Sequence, residues 1–340
     1  MTKRNGITFA GNITADRVKM IEGYPDKGMH CTISSETLAV GGSVPNTAIN
    51  LAKLDPTVPL SACGRVGNDE GGGYVLGQMQ AYGIDTDGVR ACEAHSTSYT
   101  DVMTVRSTGE RTMFHHRGAN AIFSPEDVDP SDLTCRMLHV GYILLLDRFD
   151  APDDEYGTAM ARFLHGVQKE GIKTSFDVVS EHGADYGAKV LPALPYTDNA
   201  IMNEIECCAV AGLAPRDADG ALIVENVRAA MEVLLSHGVS ERVIVHCPEA
   251  GFILNGRGEF TRVPSLKLEE GYIKGSVGAG DAFCAGCLYG IYEGYDDRDI
   301  LRFASAAAAC NLSAPDSVSG MREKEEVWAL LERYEAKNAE

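Results

Sequence analysis

The segment Gly278-Ala279-Gly280-Asp281 combines two features that phosphoryl transfer requires. Its glycines allow a sharp turn and let the backbone approach a ligand closely. A helix pattern follows at once, so the first amide groups of that helix lack intrahelical partners and favour an anion. Asp281 places a carboxylate beside this anion site, where it can accept a proton from an attacking hydroxyl. The segment therefore predicts an anion site next to a general base.

Asp281 alone also has a simpler interpretation, because acidic residues in the first turn of a helix complement the helix dipole. Other polar segments favour the catalytic interpretation, since each follows an apolar run or a probable strand or opens a helix. These segments are Gly11–Asp16 after the first apolar run, Gly41–Asn46 before a helix, Gly118–Asn120 after a probable strand, and Asn203–Glu206 after an extended run. A single such motif is weak, whereas an ordered set is specific.

In this order, the segments resemble those of the ribokinase (PfkB) family of carbohydrate and nucleoside kinases. The resemblance covers nearly the whole chain and includes both glycine signatures and the Asn-x-x-Glu element. It implies an ATP- and Mg²⁺-dependent kinase in which Asp281 takes the proton from the acceptor hydroxyl. The turn would hold the transferred phosphoryl group through backbone amides, which belong to Gly278, Ala279 and Gly280.

The resemblance also implies which residues bind the acceptor. Asp16, Gly42 and Asn46 match positions whose groups hydrogen-bond sugar hydroxyls. Asn120 is a further candidate, and so is Tyr142, for which a structural role is the open alternative. These residues point to a small sugar as the partner of the protein, together with ATP.

The nucleotide side is implied in the same way. Asn203 and Glu206 match the element that organises Mg²⁺ and the nucleotide phosphates, with Glu206 acting on the ion through water. His246 and Gly251 lie in the segment that lines the nucleotide. This segment departs from the family pattern, because His246 and Pro248 replace a small hydroxyl residue and a glycine, so the nucleotide preference stays open.

Two further departures concern the acceptor class and the monovalent cation. Ser43 stands where ribokinases commonly have lysine, and Gly275 where many relatives have an acidic residue that helps to bind a monovalent cation. The expected reaction is ATP-dependent phosphorylation of a free sugar or a sugar acid, as in ribokinases and fructokinases. A nucleoside kinase, a sugar-phosphate kinase and a non-catalytic sugar-binding regulator on the same fold remain alternatives.

The composition argues against several other classes of binding partner. The formal net charge of −19 argues against a broad nucleic-acid surface and against anionic membranes. No apolar run approaches the ~20 residues of a membrane span, and the N-terminal segment lacks the apolar core of a signal peptide. Ten cysteines in a chain of 340 residues do not form a secreted disulfide scaffold, which favours the cytoplasm. We expect Cys284 and Cys287, which formally read C-x-x-C, to serve packing.

Short β-rich runs alternate with helical patterns, which predicts a mainly parallel sheet covered on both faces. The expected architecture is therefore a three-layer α/β/α fold, and residues 1–340 form one kinase domain. Two segments, at about 17–40 and 96–117, contain strand patterns with no helix between them. In the resembled family, such excursions form a small β-sheet lid over the sugar site, through which a homodimer often forms. The predicted strands are 7–10, 60–63, 137–140, 174–178, 200–202 and 243–245, and the predicted helices are 45–54, 71–82, 153–170, 219–236, 281–292, 297–313 and 321–336.

Overall fold

The computed structural model describes residues 4–181 and 183–337. Its β-strands, in chain order, are β1 (Ile7–Gly11), β2 (Thr14–Ile21), β3 (Ile33–Gly41), β4 (Leu60–Gly67), β5 (Asp85–Cys92), β6 (Tyr99–Val105), β7 (Arg111–His116), β8 (Met137–Ile143), β9 (Pro152–Asp153), β10 (Gly157–Thr158), β11 (Lys173–Val178), β12 (Asn199–Asn203), β13 (Arg242–His246), β14 (Ala250–Asn255) and β15 (Phe260–Pro264). The α-helices are α1 (Ser43–Leu54), α2 (Glu70–Ala81), α3 (Ala159–Lys169), α4 (Tyr186–Val190), α5 (Glu204–Ala211), α6 (Val224–Ser236), α7 (Ala279–Glu293), α8 (Asp297–Leu312) and α9 (Lys324–Arg333). Short 3₁₀ turns join some of these elements.

The central sheet has the strand order β15-β14-β13-β12-β11-β8-β1-β4-β5 within the described residues. Neighbouring strands from β13 to β5 are parallel, whereas the β13–β14 and β14–β15 pairs are antiparallel. The inner strands β1 and β8 are almost wholly buried, as expected for a parallel sheet that is covered on both faces. The predicted mainly parallel sheet is confirmed.

Helices cover both faces of this sheet. One apolar core contains buried side chains of α1, α2, α7, α8 and α9, and the second contains side chains of α3, α5 and α6. Helix α3 buries one apolar stripe, whereas almost every residue of α1 is buried. With helices on both faces, the sheet forms the middle of the three layers of the predicted α/β/α fold. This prediction is also confirmed. No helix in the described part of the chain is long and apolar enough to cross a membrane.

A second, smaller sheet has the strand order β3-β2-β6-β7. Its strands lie in the two segments predicted as a lid, although β2 begins at Thr14, three residues before the predicted boundary. Strand β2 continues the path of β1 after only two intervening residues, and β3 leads directly into α1. The small sheet is therefore connected to the body at the carboxyl end of β1 and at the start of α1. We call this sheet the lid below.

Three predicted helices begin later or end earlier in the structure. Helix α3 begins at Ala159 rather than 153, because the short β9–β10 hairpin precedes it and the Thr158 hydroxyl accepts a hydrogen bond from the Ala161 amide at 3.2 Å. Helix α6 begins at Val224 rather than 219, after a turn in which the Asp217 carboxylate accepts backbone hydrogen bonds. Helix α9 spans Lys324–Arg333 within the predicted 321–336.

Helix α7, which begins at the predicted anion site, is held by close packing against α8. A Cβ atom at Gly286 would lie 2.7 Å from the Cα atom of Ala304, so the two helix backbones meet where glycine leaves room. Cys284 and Cys287 lie buried on this helix, which agrees with their expected packing role.

This contact predicts opposite effects for two glycine-to-alanine changes in helices. Gly286→Ala should destabilise the protein by about 1–3 kcal/mol, because the added methyl group overpacks the α7–α8 contact. Gly77→Ala, in α2 with open space around its Cα atom, should instead stabilise it by roughly 0.5–1 kcal/mol. Urea unfolding of the two variants and the wild type measures both effects, and equal stabilisation by both changes would contradict the packing.

Candidate active site

A cleft of ≈ 1510 Å³ lies between the lid and the carboxyl ends of the parallel strands. Ligands of open α/β sheets bind at this edge, because loops and helix N-termini converge there. Most of the residues predicted for the site line the cleft, together with neighbours that follow the same strands; the lining includes Asn12, Asp16, Gly42, Asn46, Tyr142, Asp177, Ser180, Asn203, Glu206, His246, Gly278, Gly280 and Asp281.

Asp281 is buried in the first turn of α7, and two side chains from other parts of the chain hold its carboxylate. The Tyr142 hydroxyl donates to Oδ1 at 2.6 Å, and the Asn46 amide donates to Oδ2 at 3.0 Å. Burial, with a smaller contribution from the nearby Asp177 carboxylate, raises the pKa of Asp281 to about 7, against the effect of the two hydrogen bonds. Asp281 can therefore exchange a proton near neutral pH.

The turn before α7 has the geometry that its glycines predict. Gly278 has a φ of 75°, and a Cβ atom there would lie 2.5 Å from the Cβ atom of Ser317. The Ala279 amide donates to the Ser276 carbonyl at 3.3 Å, so it is already paired in this conformation. Within the described residues, the amides of Gly280 and Asp281 have no backbone partner and remain available to an anion.

Unpaired polar atoms line the half of the cleft in which the sequence predicts that the acceptor binds. Asn12 Nδ2, Asp16 Oδ1 and Asn46 Oδ1 are buried without a hydrogen-bond partner in the described part of the structure. Burial raises the pKa of Asp16 to about 6, and the neighbouring polar groups of Thr100 and Thr14 offset part of this effect. Because unpaired buried polar atoms are costly, these groups fit a ligand with several hydroxyls.

Of two further predicted acceptor residues, Gly42 lines this half of the cleft and Asn120 does not. Gly42 lines it with a φ of 83°, and a Cβ atom there would lie 2.5 Å from the Asn12 carbonyl oxygen. Asn120 does not line it: its side chain is fully used on the backbone of Ile13, accepting from the amide at 3.2 Å and donating to the carbonyl at 3.1 Å. Asn120 thus holds the β1–β2 connection, and its contact with the acceptor stays a prediction.

Asp177 is a second cleft carboxylate, which we did not predict as a site residue. It lies within β11, one residue before the carboxyl end of the strand, and the Ser43 hydroxyl donates to its Oδ2 atom at 3.1 Å. His139 Nε2 lies 3.6 Å from the same oxygen. An acidic residue at the carboxyl end of an apolar strand was the available signal. Ser43, at the position where ribokinases commonly have lysine, thus contacts a buried carboxylate.

Asn203 and Glu206 form a reciprocal cap at the N-terminus of α5. The backbone N–H of Glu206 donates to Asn203 Oδ1 at 2.8 Å, and the backbone N–H of Asn203 donates to Glu206 Oε2 at 3.0 Å. Ser180 donates to the other Glu206 oxygen at 2.7 Å. Burial raises the pKa of Glu206 to about 7. Both carboxylate oxygens already accept hydrogen bonds, which fits contact with a cation through water rather than direct ligation.

The two predicted nucleotide residues are paired across the neighbouring strands β13 and β14. His246 ends β13 and lines the cleft, with its ring 4.9 Å from that of Phe283 between centroids; burial lowers its pKa to about 4. Gly251 lies opposite it on β14, where a Cβ atom would contact Leu301 and Phe283 at 3.0 and 3.2 Å. Gly251 therefore packs against α7 and α8, outside the cleft lining, and its nucleotide contact stays a prediction.

The family model described as pfkB family carbohydrate kinase matches residues 7–324 of this chain. The chain belongs to this family. It is an ATP-dependent carbohydrate kinase, as the sequence predicts.

Similar proteins include the ribokinase of Schizosaccharomyces pombe, 25% identical over 330 residues that cover 93% of this kinase and 94% of the relative. The 5-dehydro-2-deoxygluconokinase of Listeria innocua is 26% identical and covers 86% of each chain. Among solved structures, Arabidopsis thaliana ribokinase complexed with ribose and ATP superposes with a TM-score of 0.76 at 21% identity, over 96% of this kinase and 99% of that chain. This structural likeness establishes the shared fold.

The contact between Tyr142 and Asp281 predicts a shift in the pKa of the carboxylate. Tyr142→Phe should raise the pKa of Asp281 above its value of about 7, because the lost hydrogen bond stabilises the charged form. A ¹³C-carboxyl NMR titration measures the shift, with Tyr292→Phe, a change on the opposite end of α7, as the control. An unchanged or lower pKa in Tyr142→Phe would contradict the contact.

Proposed function

We propose that this kinase phosphorylates a hydroxyl of a small sugar or sugar acid, with Asp281 as the general base. The observation that supports this role most strongly is the position of Asp281: a buried carboxylate lies one residue from an unpaired amide at the N-terminus of α7. A proton acceptor and an anion site therefore stand side by side in one cleft. Little covalent chemistry is required of the protein, because positioning and charge neutralisation supply most of the acceleration.

The acceptor hydroxyl donates to the Asp281 carboxylate and attacks the terminal phosphorus of ATP. As the new O–P bond forms, the bond to the bridging oxygen breaks, ADP leaves, and the proton passes to Asp281. Tyr142 and Asn46 keep the carboxylate in place during the transfer. The Gly280 and Asp281 amides bind the charge that develops on the phosphoryl oxygens. Asn12, Asp16 and Asn46 orient the other hydroxyls of the acceptor.

Glu206 and Asn203 are proposed to hold Mg²⁺ and the nucleotide phosphates through water. Their buried, hydrogen-bonded oxygens fit this indirect contact. A bound Mg²⁺ ion neutralises phosphate charge during the transfer. His246, at the same edge of the cleft, is proposed to contact the nucleotide.

The underside of the lid supports a nucleoside as a second candidate acceptor. Apolar side chains from all four lid strands line the cleft there, including Val18, Leu38, Val102 and Met113. Such a surface can cover an aromatic base. ADP release measured against free sugars, sugar acids, sugar phosphates and nucleosides distinguishes the acceptor classes. A protein that binds a sugar tightly but releases no ADP with any of them would instead be a sugar-binding regulator.

We further propose that residues 1–340 act as a single kinase domain, that the lid mediates a homodimer, and that the protein is cytoplasmic. Several large apolar side chains of the two lid segments are exposed, among them Met29, Ile33 and Phe114, which supports a partner surface there. All ten cysteines are free, which agrees with a reducing compartment. Analytical ultracentrifugation tests the dimer.

Asp281→Asn tests the proposed base. It should lower kcat by at least ~10²-fold, because the amide cannot accept the acceptor proton, while ATP affinity changes little. Asp299→Asn is the matched control, since Asp299 also lies in the first turn of a helix but on the surface. The control should retain wild-type kcat. Near-wild-type turnover of Asp281→Asn would exclude the role, and Asp281 would then only complement the helix dipole.

Glu206→Gln tests the proposed metal contact. It should raise the Mg²⁺ concentration needed for half-maximal activity, because the variant lacks the negative charge that attracts the hydrated ion. The glutamine retains an oxygen for the cap of α5, so the melting temperature serves as the control for folding. An unchanged Mg²⁺ dependence in a folded variant would limit Glu206 to capping.

A further inference from the structure

Arg111 is a cation of the cleft that the proposed reaction has not used. It begins β7 on the lid, is half-buried, and lines the cleft. Its Nη2 atom donates to the carbonyl oxygen of Pro315 at 3.2 Å. A guanidinium group has five N–H donors in a planar fork, so this bond leaves most of its donor capacity available.

The other cleft arginines are neutralised. Arg106 contacts Glu22 at 3.2 Å, and Arg117 contacts Glu181 at 2.6 Å and Asp147 at 3.1 Å. Arg111 has no carboxylate within 4.0 Å among residues 4–181 and 183–337. Burial lowers the pKa of Arg111, with no charged group offsetting the effect. A partly desolvated cation without a counter-charge is unfavourable unless an anion joins it.

The segment that Arg111 contacts leads to the predicted anion site. Pro315 lies two residues before Ser317, and Ser317 packs directly against Gly278 at the start of α7. Two residues span at most ~7 Å of extended chain, so the Pro315 carbonyl that binds the guanidinium group lies near the Gly278 turn. Arg111, Gly278 and Gly280 all line the same cleft. The guanidinium group and the free amides of α7 both favour anions, and they come from opposite sides, one from the lid and one from the body.

We propose that Arg111 binds the phosphates of the nucleoside triphosphate and contacts the phosphoryl group during its transfer. The proposal rests on the proposed function. Arg111 makes and breaks no covalent bond; its N–H groups bind the phosphoryl oxygens while the O–P bond to the acceptor forms, ADP leaves, and Asp281 takes the proton. The lid would thereby contribute a catalytic residue as well as a cover. An acidic group on the acceptor is the other anion that Arg111 could bind.

The test uses Arg111→Gln and Arg111→Lys in the full chain, with Arg106→Gln as the matched control on the same lid. The dissociation constants of AMP-PNP, a non-hydrolysable ATP analogue, and of AMP are measured by calorimetry with Mg²⁺. Arg111→Gln should weaken AMP-PNP binding by ~10-fold or more, the usual effect of a lost charged hydrogen bond, while AMP binding stays within about twofold. Arg111→Lys, which keeps the charge but not the fork, should fall between. The control should match the wild type.

The turnover measurements use the neutral and acidic acceptors found with the wild type. Arg111→Gln should lower kcat by ~10-fold or more with both. An effect on KM confined to acidic acceptors would place the anion on the acceptor and overturn the proposal. Equal weakening of AMP and AMP-PNP binding, together with a lower Tm, would mean that Arg111 only joins the lid to the body. That result would also overturn the proposal.

Unchanged AMP-PNP binding and unchanged kcat would overturn the proposal as well. These outcomes are separable from failure of the proposed function, because AMP-PNP binding needs no turnover. A wild-type protein without ADP release would refute the kinase mechanism, and the AMP-PNP to AMP comparison would still decide whether Arg111 binds phosphates.

Discussion

The arrangement of the cleft depends on keeping a carboxylate charged where water is largely excluded. Asp281 is buried at the start of α7, and the hydrogen bonds from Tyr142 and Asn46 offset part of the resulting desolvation. These three residues come from α7, from the end of β8 and from α1. They can meet because parallel strands direct the following loops and helices to one edge of the sheet. The order of the strands in the sheet therefore determines the chemistry of the site.

The lid is tied to the same edge by the path of the backbone. Strand β1 passes into β2 through a connection that the Asn120 side chain clamps at Ile13, and Asp16 follows on β2. Asp16, which lines the cleft, therefore lies on a strand of the lid. On the far side of the lid, Arg111 reaches back to the Pro315 carbonyl. A movement of the lid would therefore shift the Asp16 carboxylate and the Arg111 guanidinium group together.

Glycine turns and buried strands could be predicted from the sequence because each has a local cause. The turn at Gly278 and the buried strands β1 and β8 are examples. The contacts of single polar groups were harder to predict from the sequence. The side-chain amide of Asn120 binds the backbone of Ile13, and the backbone N–H of Ala279 binds the Ser276 carbonyl. Side-chain amides and backbone N–H groups can also bind ligands, and the sequence does not distinguish the two uses. Asp177 was missed because its partner Ser43 lies 134 residues away, and only the fold brings the two together.

A crystal structure of the kinase with its acceptor and AMP-PNP tests the central claim most directly. The account predicts that the reacting hydroxyl oxygen lies about 2.6–3.2 Å from an Asp281 carboxylate oxygen. It also predicts that the terminal phosphate contacts the amide of Gly280 at the start of α7. A closed complex in which the acceptor hydroxyl contacts another base, or in which the terminal phosphate lies away from the Gly278 turn, would contradict the account.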